Sequence, residues 1–112
     1  MGHRDSCDDL REVCWGVLGA GHISHRFASS LKEVDGARLV AAAGRTPSHV
    51  EEFCRAFSID AAHSYATADD GGDVAYDALI ADPDVDAIYL ALPHGMHTRW
   101  ACRALRAGKA VL

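Results

Sequence analysis

Between Val13 and Phe27 the chain reads VCWGVLGAGHISHRF, an apolar run that stops on Gly19 and gives way, across Gly21, to a pattern of helical period. A buried strand that ends on one glycine and re-enters a helix within three residues is the opening of a βαβ unit. Gly19 permits the tight turn out of the strand. Gly21 lets the backbone approach an anion with no Cβ in the way, and the helix that follows points its free N–H groups at that anion. Ser24 stands at the third small position, where close helix–sheet packing is needed. The same residues also suit a structural turn with no ligand, but a glycine pair after a strand and before a helix favours the phosphate cradle. A metal reading of His22-x-x-His25 lacks a third ligand nearby, and His25 is expected on an exposed helix face.

The rest of the chain continues the alternation. The spacing of Ile23, Phe27, Leu31 and Val34 predicts one apolar stripe on the first helix, closed by Asp35-Gly36. Residues 37–43 (ARLVAAA) predict a second buried strand. Thr46-Pro47-Ser48 opens a helix, with Thr46 as cap, Pro47 in the first turn, and Ser48 with Glu51 as a capping box. Its inner face is Val50, Phe53, Cys54 and Phe57. A short strand is expected near 63–65, an acidic loop around Asp69-Asp70-Gly71-Gly72, and a helix over 75–81 with Tyr76, Leu79 and Ile80 inward. Residues 86–92 form a strand closed by Pro93, residues 98–107 a helix capped by Thr98 and stopped by Gly108, and residues 109–112 the start of a further strand. Strands that are apolar throughout, without alternation, are buried on both faces. The fold class is therefore α/β, a doubly wound parallel (Rossmann) sheet, incomplete at its C-terminal edge.

The 112 residues allow one core, and a formal net charge of −5 gives no footprint for nucleic acid or an anionic membrane. No segment approaches the roughly 18 apolar residues of a spanning helix. Residues 1–12 read as a polar leader, neither signal nor transit peptide, which places the chain in the cytoplasm. Cys14, Cys54 and Cys102 sit in apolar segments and read as small buried thiols, not as a disulfide framework.

Which dinucleotide the cradle suits depends on the end of the second strand. An NAD site usually offers Asp or Glu there to the ribose 2′-hydroxyl. Here the strand ends in Ala43-Gly44-Arg45-Thr46. Arg45 can pair with a 2′-phosphate and stack on adenine, with Thr46 and Ser48 as hydroxyl donors, so NADP is favoured over NAD. The alternative for Arg45 is a solvated charge at a helix start.

The segments GVLGAGHIS, AAAGRTPSHVEEFC, YDALIADPDVDAIYLALPHGMH and CRALRAGKAVL together resemble the N-terminal half of the glucose–fructose oxidoreductase / inositol dehydrogenase (Gfo/Idh/MocA) family. Within it they are most similar to the dihydrodiol and xylose dehydrogenase branch. The resemblance covers residues 13–112 and implies a Rossmann domain that binds NAD(P) in an oxidoreductase of sugars, polyols or dihydrodiols, with a second domain for the substrate. Gly19, Ala20, Gly21, His22 and Ile23 match the family's pyrophosphate loop, and Arg45 and Thr46 the adenosine side. Leu92, Pro93 and His97 match the loop beside the nicotinamide ribose, although His97 can equally hydrogen-bond its own loop. The family's Glu-Lys-Pro motif, with its catalytic lysine, would follow Leu112; Lys109 opens its strand and faces away from the site. The implied parent is a homo-oligomer, and the present chain, without lysine or substrate domain, is expected to be inactive alone. The competing readings are a stand-alone dinucleotide-binding regulator and a non-functional gene fragment.

Overall fold

The computed structural model describes residues 12–67 and 72–112, so the leader and the acidic loop lie outside the described residues, apart from Glu12 and Gly72. Five parallel strands form one sheet in the order β3-β2-β1-β4-β5. They are β1 (Val13–Leu18), β2 (Ala37–Gly44), β3 (Ser64–Ala66), β4 (Ala87–Leu90) and β5 (Ala110–Val111). Four helices connect them: α1 (His22–Leu31), α2 (Pro47–Ala56), α3 (Asp73–Ile80) and α4 (His94–Arg106).

Adjacent strand residues point to opposite faces, and each face builds its own core. Val17 and Ala42 pack with Ala28, Val50 and Phe53, beneath α1 and α2. Leu18, Ala41, Ala43, Ile88 and Leu90 pack with Tyr76, Leu79, Trp100 and Ala104, beneath α3 and α4. This is the doubly wound α/β sheet that the unalternating apolar strands require, and β5 joins β4 through Ala87–Ala110 and Ile88–Val111.

Two helices differ from their expected faces or bounds. In α1 the buried residues are Ser24, Ala28 and Leu31, whereas Ile23 and Val34 are more than half exposed. Small side chains let α1 lie close on the sheet. Phe27 is displaced to the flank, where it stacks on Tyr89 at 4.1 Å and meets Trp15 edge-on. Helix α4 starts at His94, four residues before the expected Thr98, with Pro93 as its N-cap. The fixed φ of proline prepares the first turn, and the His97 ring bonded to the Leu92 carbonyl oxygen ties that turn to the strand end.

The cysteines also depart from expectation. Cys54 is a buried free thiol, but Cys102 is exposed and Cys14 is disulfide-bonded. A disulfide requires two Cβ atoms about 4 Å apart, which spacing along the chain does not reveal.

The N-terminal ends of the strands are fastened by a polar network. The nearly buried Asp82 carboxylate accepts from the Tyr65 hydroxyl (2.8 Å), the His63 ring (2.6 Å) and the Asp84 amide (2.8 Å). Lys109 donates to the Asp82 and Val85 carbonyl oxygens at 2.7 and 2.6 Å, so it caps this rim, at the opposite end of the sheet from the glycine turn. Burial alone would push the Asp82 carboxyl up. The hydrogen bonds from Asp84, Tyr65 and His63, with the His63 charge, hold it below its ordinary value. A carboxyl lowered on folding stabilises the fold above its unfolded pKa, near 4, and that contribution is lost as pH falls through the folded value. Asp82→Asn is expected to cost about 1–3 kcal/mol at neutral pH and to flatten the decline in stability below pH 4. Urea unfolding from pH 7 to pH 3 measures both, and an undiminished decline would place the acid sensitivity elsewhere.

Candidate functional site

The cleft at the C-terminal ends of β1, β2 and β4 begins with the glycine turn. Gly19 has φ +101°, and its amide donates to the Ala43 carbonyl oxygen at 2.7 Å. A Cβ at Gly19 would meet the Ala91 backbone oxygen at 2.7 Å, so the turn lies directly on the end of β4. At Gly21, by contrast, a Cβ would meet nothing within 4 Å, because this residue faces open space. Gly21 caps α1 with no side-chain bond, and the first turn carries no acidic residue. The amides of His22, Ile23 and Ser24 therefore have no partner within the helix and face the cleft end of the molecule. Ser24, fully buried, donates its hydroxyl to the Gly19 carbonyl oxygen and pins the turn from below.

A cavity of about 290 Å³ opens here, lined on one side by Gly19, Ala20 and Gly21 and on another by Gly44, Arg45, Thr46, His49 and Val50. Tyr76, Ala91, Leu92, Pro93 and Met96 complete the wall. No carboxylate among the described residues lines it, and Arg45 together with a helix N-terminus gives it a positive character that suits an anion. Thr46 is the N-cap of α2 but makes no side-chain cap bond, which leaves its hydroxyl available to a ligand. Burial raises the Tyr76 phenol above its ordinary pKa, with the Arg45 charge partly opposing and Asp73 adding to the rise.

The structure thus brings Gly19, Ala20, Gly21, Arg45, Thr46, Leu92 and Pro93 to one cavity. His22 and Ile23 follow on the first turn of α1, both exposed. Ser48 lies instead in a neighbouring groove with Pro47, Glu51 and Cys54. The expected Ser48–Glu51 capping box is absent, because α2 begins at Pro47 and puts Ser48 inside the helix. His97 donates from Nε2 to the Leu92 carbonyl oxygen at 2.6 Å, which is the loop bond of its two readings. The His25 ring rests on Phe53 and Phe57, half-buried rather than exposed. His49, Tyr76 and Met96 were not anticipated at the cavity. Pro47 in the first turn would have placed His49 there, but only the fold brings in Tyr76 and Met96.

A sequence profile described as "oxidoreductase family, NAD-binding Rossmann fold" (Gfo/Idh/MocA) matches residues 13–112. The chain belongs to the Gfo/Idh/MocA family. A Saccharopolyspora spinosa dTDP-3,4-didehydro-2,6-dideoxy-alpha-D-glucose 3-reductase is 35% identical over 87% of this chain, which spans 26% of that relative. The D-xylose 1-dehydrogenase (NADP(+)) of Hypocrea jecorina is 36% identical over 88% of the chain and 26% of its own length, in line with the branch its motifs resemble. The crystal structure of the 3-ketoreductase KijD10 from Actinomadura kijaniata, with NADP and TDP-benzene, superimposes with a TM-score of 0.74 at 31% identity. That match takes in 90% of this chain and 28% of KijD10. The chain therefore spans about a quarter of the length of the curated relatives it matches. Among the described residues, no helix is long and apolar enough to cross a membrane.

Proposed function

We propose that this chain is the NADP(H)-binding part of a Gfo/Idh/MocA oxidoreductase that moves a hydride between the cofactor and a carbinol carbon of a sugar, polyol or dihydrodiol. The observation that carries the reading is Arg45, which stands at the end of β2 and lines the cavity, while no carboxylate among the described residues shares that wall. The residues present fit a dinucleotide. Gly21 leaves room for a pyrophosphate against the uncapped amides of α1. Arg45 and Thr46, on one wall of the cavity, would hold the 2′-phosphate, and the apolar Leu92, Pro93 and Met96 would flank the nicotinamide ribose end. When bound, the nicotinamide supplies the hydride chemistry; the protein binds and orients it. Relatives with names denoting sugar reduction and xylose oxidation support the substrate class.

Calorimetric titration with NADP⁺ and NAD⁺ tests the reading. The chain should bind NADP⁺ more tightly, and Arg45→Ala should weaken NADP⁺ about ten- to a hundredfold while leaving NAD⁺ nearly unchanged, the contribution of one charge-assisted pair. Equal losses for both would mean that Arg45 only stacks on adenine. Tighter binding of NAD⁺ by the unaltered chain would overturn the assignment.

A further inference from the structure

We propose that Tyr76, on α3, is a second determinant of cofactor choice, donating its hydroxyl to the 2′-phosphate beside Arg45. This rests on the NADP(H) reading above. Tyr76 is 3% exposed and lines the cavity. Its ring is held edge-on by Trp100, with centroids 5.1 Å apart. No residue among those described accepts from or donates to its hydroxyl, although a buried phenol ordinarily finds a partner. The hydroxyl is not sealed in the core either, since the buried polar side-chain atom left without a partner among the described residues is the Trp100 indole nitrogen. Tyr76 Oη therefore keeps some contact with solvent, in a residue that lines the cavity.

Its position relative to Arg45 is fixed by Gly72, the residue before α3. A Cβ built on Gly72 would lie 3.0 Å from Tyr76 Oη and 3.1 Å from Arg45 Cβ. Tyr76, through its hydroxyl, and Arg45, through its Cβ, thus both flank Gly72 beside the end of β2, and both residues line the cavity. The Arg45 charge acts on the phenol, and burial keeps that phenol protonated, so it can donate to an anion. An arginine and a neutral hydroxyl on the wall of one cavity suit a tetrahedral dianion better than a ribose hydroxyl, which a carboxylate would serve.

Tyr76→Phe removes the oxygen and keeps the ring packed on Trp100. Titration with NADP⁺ and NAD⁺, together with thermal melts of the same samples, is the test. The expected result is a loss of NADP⁺ affinity of about tenfold, NAD⁺ affinity within twofold of the parent chain, and an unchanged melt. If the parent chain prefers NADP⁺ but Tyr76→Phe leaves that affinity intact, the proposal falls and the function reading stands. Equal losses for both cofactors would also overturn it, by assigning the hydroxyl to a group the two share. A parent chain that binds neither dinucleotide, or prefers NAD⁺, would overturn both.

Discussion

Gly19→Ala is expected to destabilise the chain by about 2–5 kcal/mol and to abolish dinucleotide binding. Two costs add. An L-residue held at φ +101° pays about 1–2 kcal/mol for its Cβ. The new methyl would also sit 2.7 Å from the Ala91 carbonyl oxygen, which is backbone and cannot swing away. Overpacking of that kind costs about 1–3 kcal/mol more. A domain of this size has only about 5–15 kcal/mol in total, so the variant should lose a large share of it. Gly21→Ala is the control: its methyl meets nothing, so only the poorer N-cap costs stability, about 1 kcal/mol, while binding falls because the methyl enters the space left for the ligand. Urea unfolding with unchanged slope, a large midpoint shift for Gly19→Ala and a small one for Gly21→Ala, is the expected pair of results. Equal stability of the two variants would show that the turn can relax.

Trp100→Ala should cost about 3–5 kcal/mol, the range for deleting a buried aromatic. Trp100 is fully buried and bridges the α3–α4 layer, with Tyr76 edge-on and the Arg99 and Arg103 guanidinium groups 4.8 and 5.1 Å from its ring. Those arginines also pair with Asp73 and Asp77 of α3, at 3.0 and 2.6 Å. Exposed pairs of this type contribute under about 1 kcal/mol each, so the ring, not the ion pairs, holds the layer. Its indole N–H has no partner among the described residues. Trp100→Phe therefore forfeits volume but no hydrogen bond and should cost less than half as much as the alanine variant. Equal costs for the two, measured by chemical denaturation, would contradict this account.

The strands were legible because a strand covered on both faces must be apolar at every position, and VCWGVL, ARLVAAA and DAIYLAL are. The inner face of α1 was not. Ile23-Phe27-Leu31 and Ser24-Ala28-Leu31 both keep helical spacing, and only the nearness of helix to sheet selects the smaller set. The start of α4 was hidden by Thr98, a good cap residue that lies inside the helix, whereas the true N-cap is Pro93 and the His97–Leu92 bond ties the first turn to the strand end. At the site, Gly19, Gly21, Arg45 and Thr46 could be placed because each lies within three residues of a strand end. Tyr76 reads as an inward helix residue and is one; that its buried edge also borders the cavity depends on the crossover from β3 to β4, which one-dimensional periodicity does not encode. Ser48 lines the groove beside the cavity instead, one residue from His49, which lines the cavity, and Val50 borders both.

The Asp82–His63–Tyr65 knot and the Lys109 bridge lie at one rim of the sheet, and every residue of the cavity at the other. Selection can therefore act on the two rims separately. Loops at the ligand rim can be exchanged or lengthened without loosening the fasteners, which gives the scaffold freedom to explore new specificities at little risk to folding. The complementary exchange is the restrictive one. A chimaera that keeps this chain's ligand rim but takes the fastener loops of a relative must import His63, Tyr65, Asp82 and Lys109 as a set, because the other three all bond to Asp82, two through its carboxylate and Lys109 through its carbonyl oxygen.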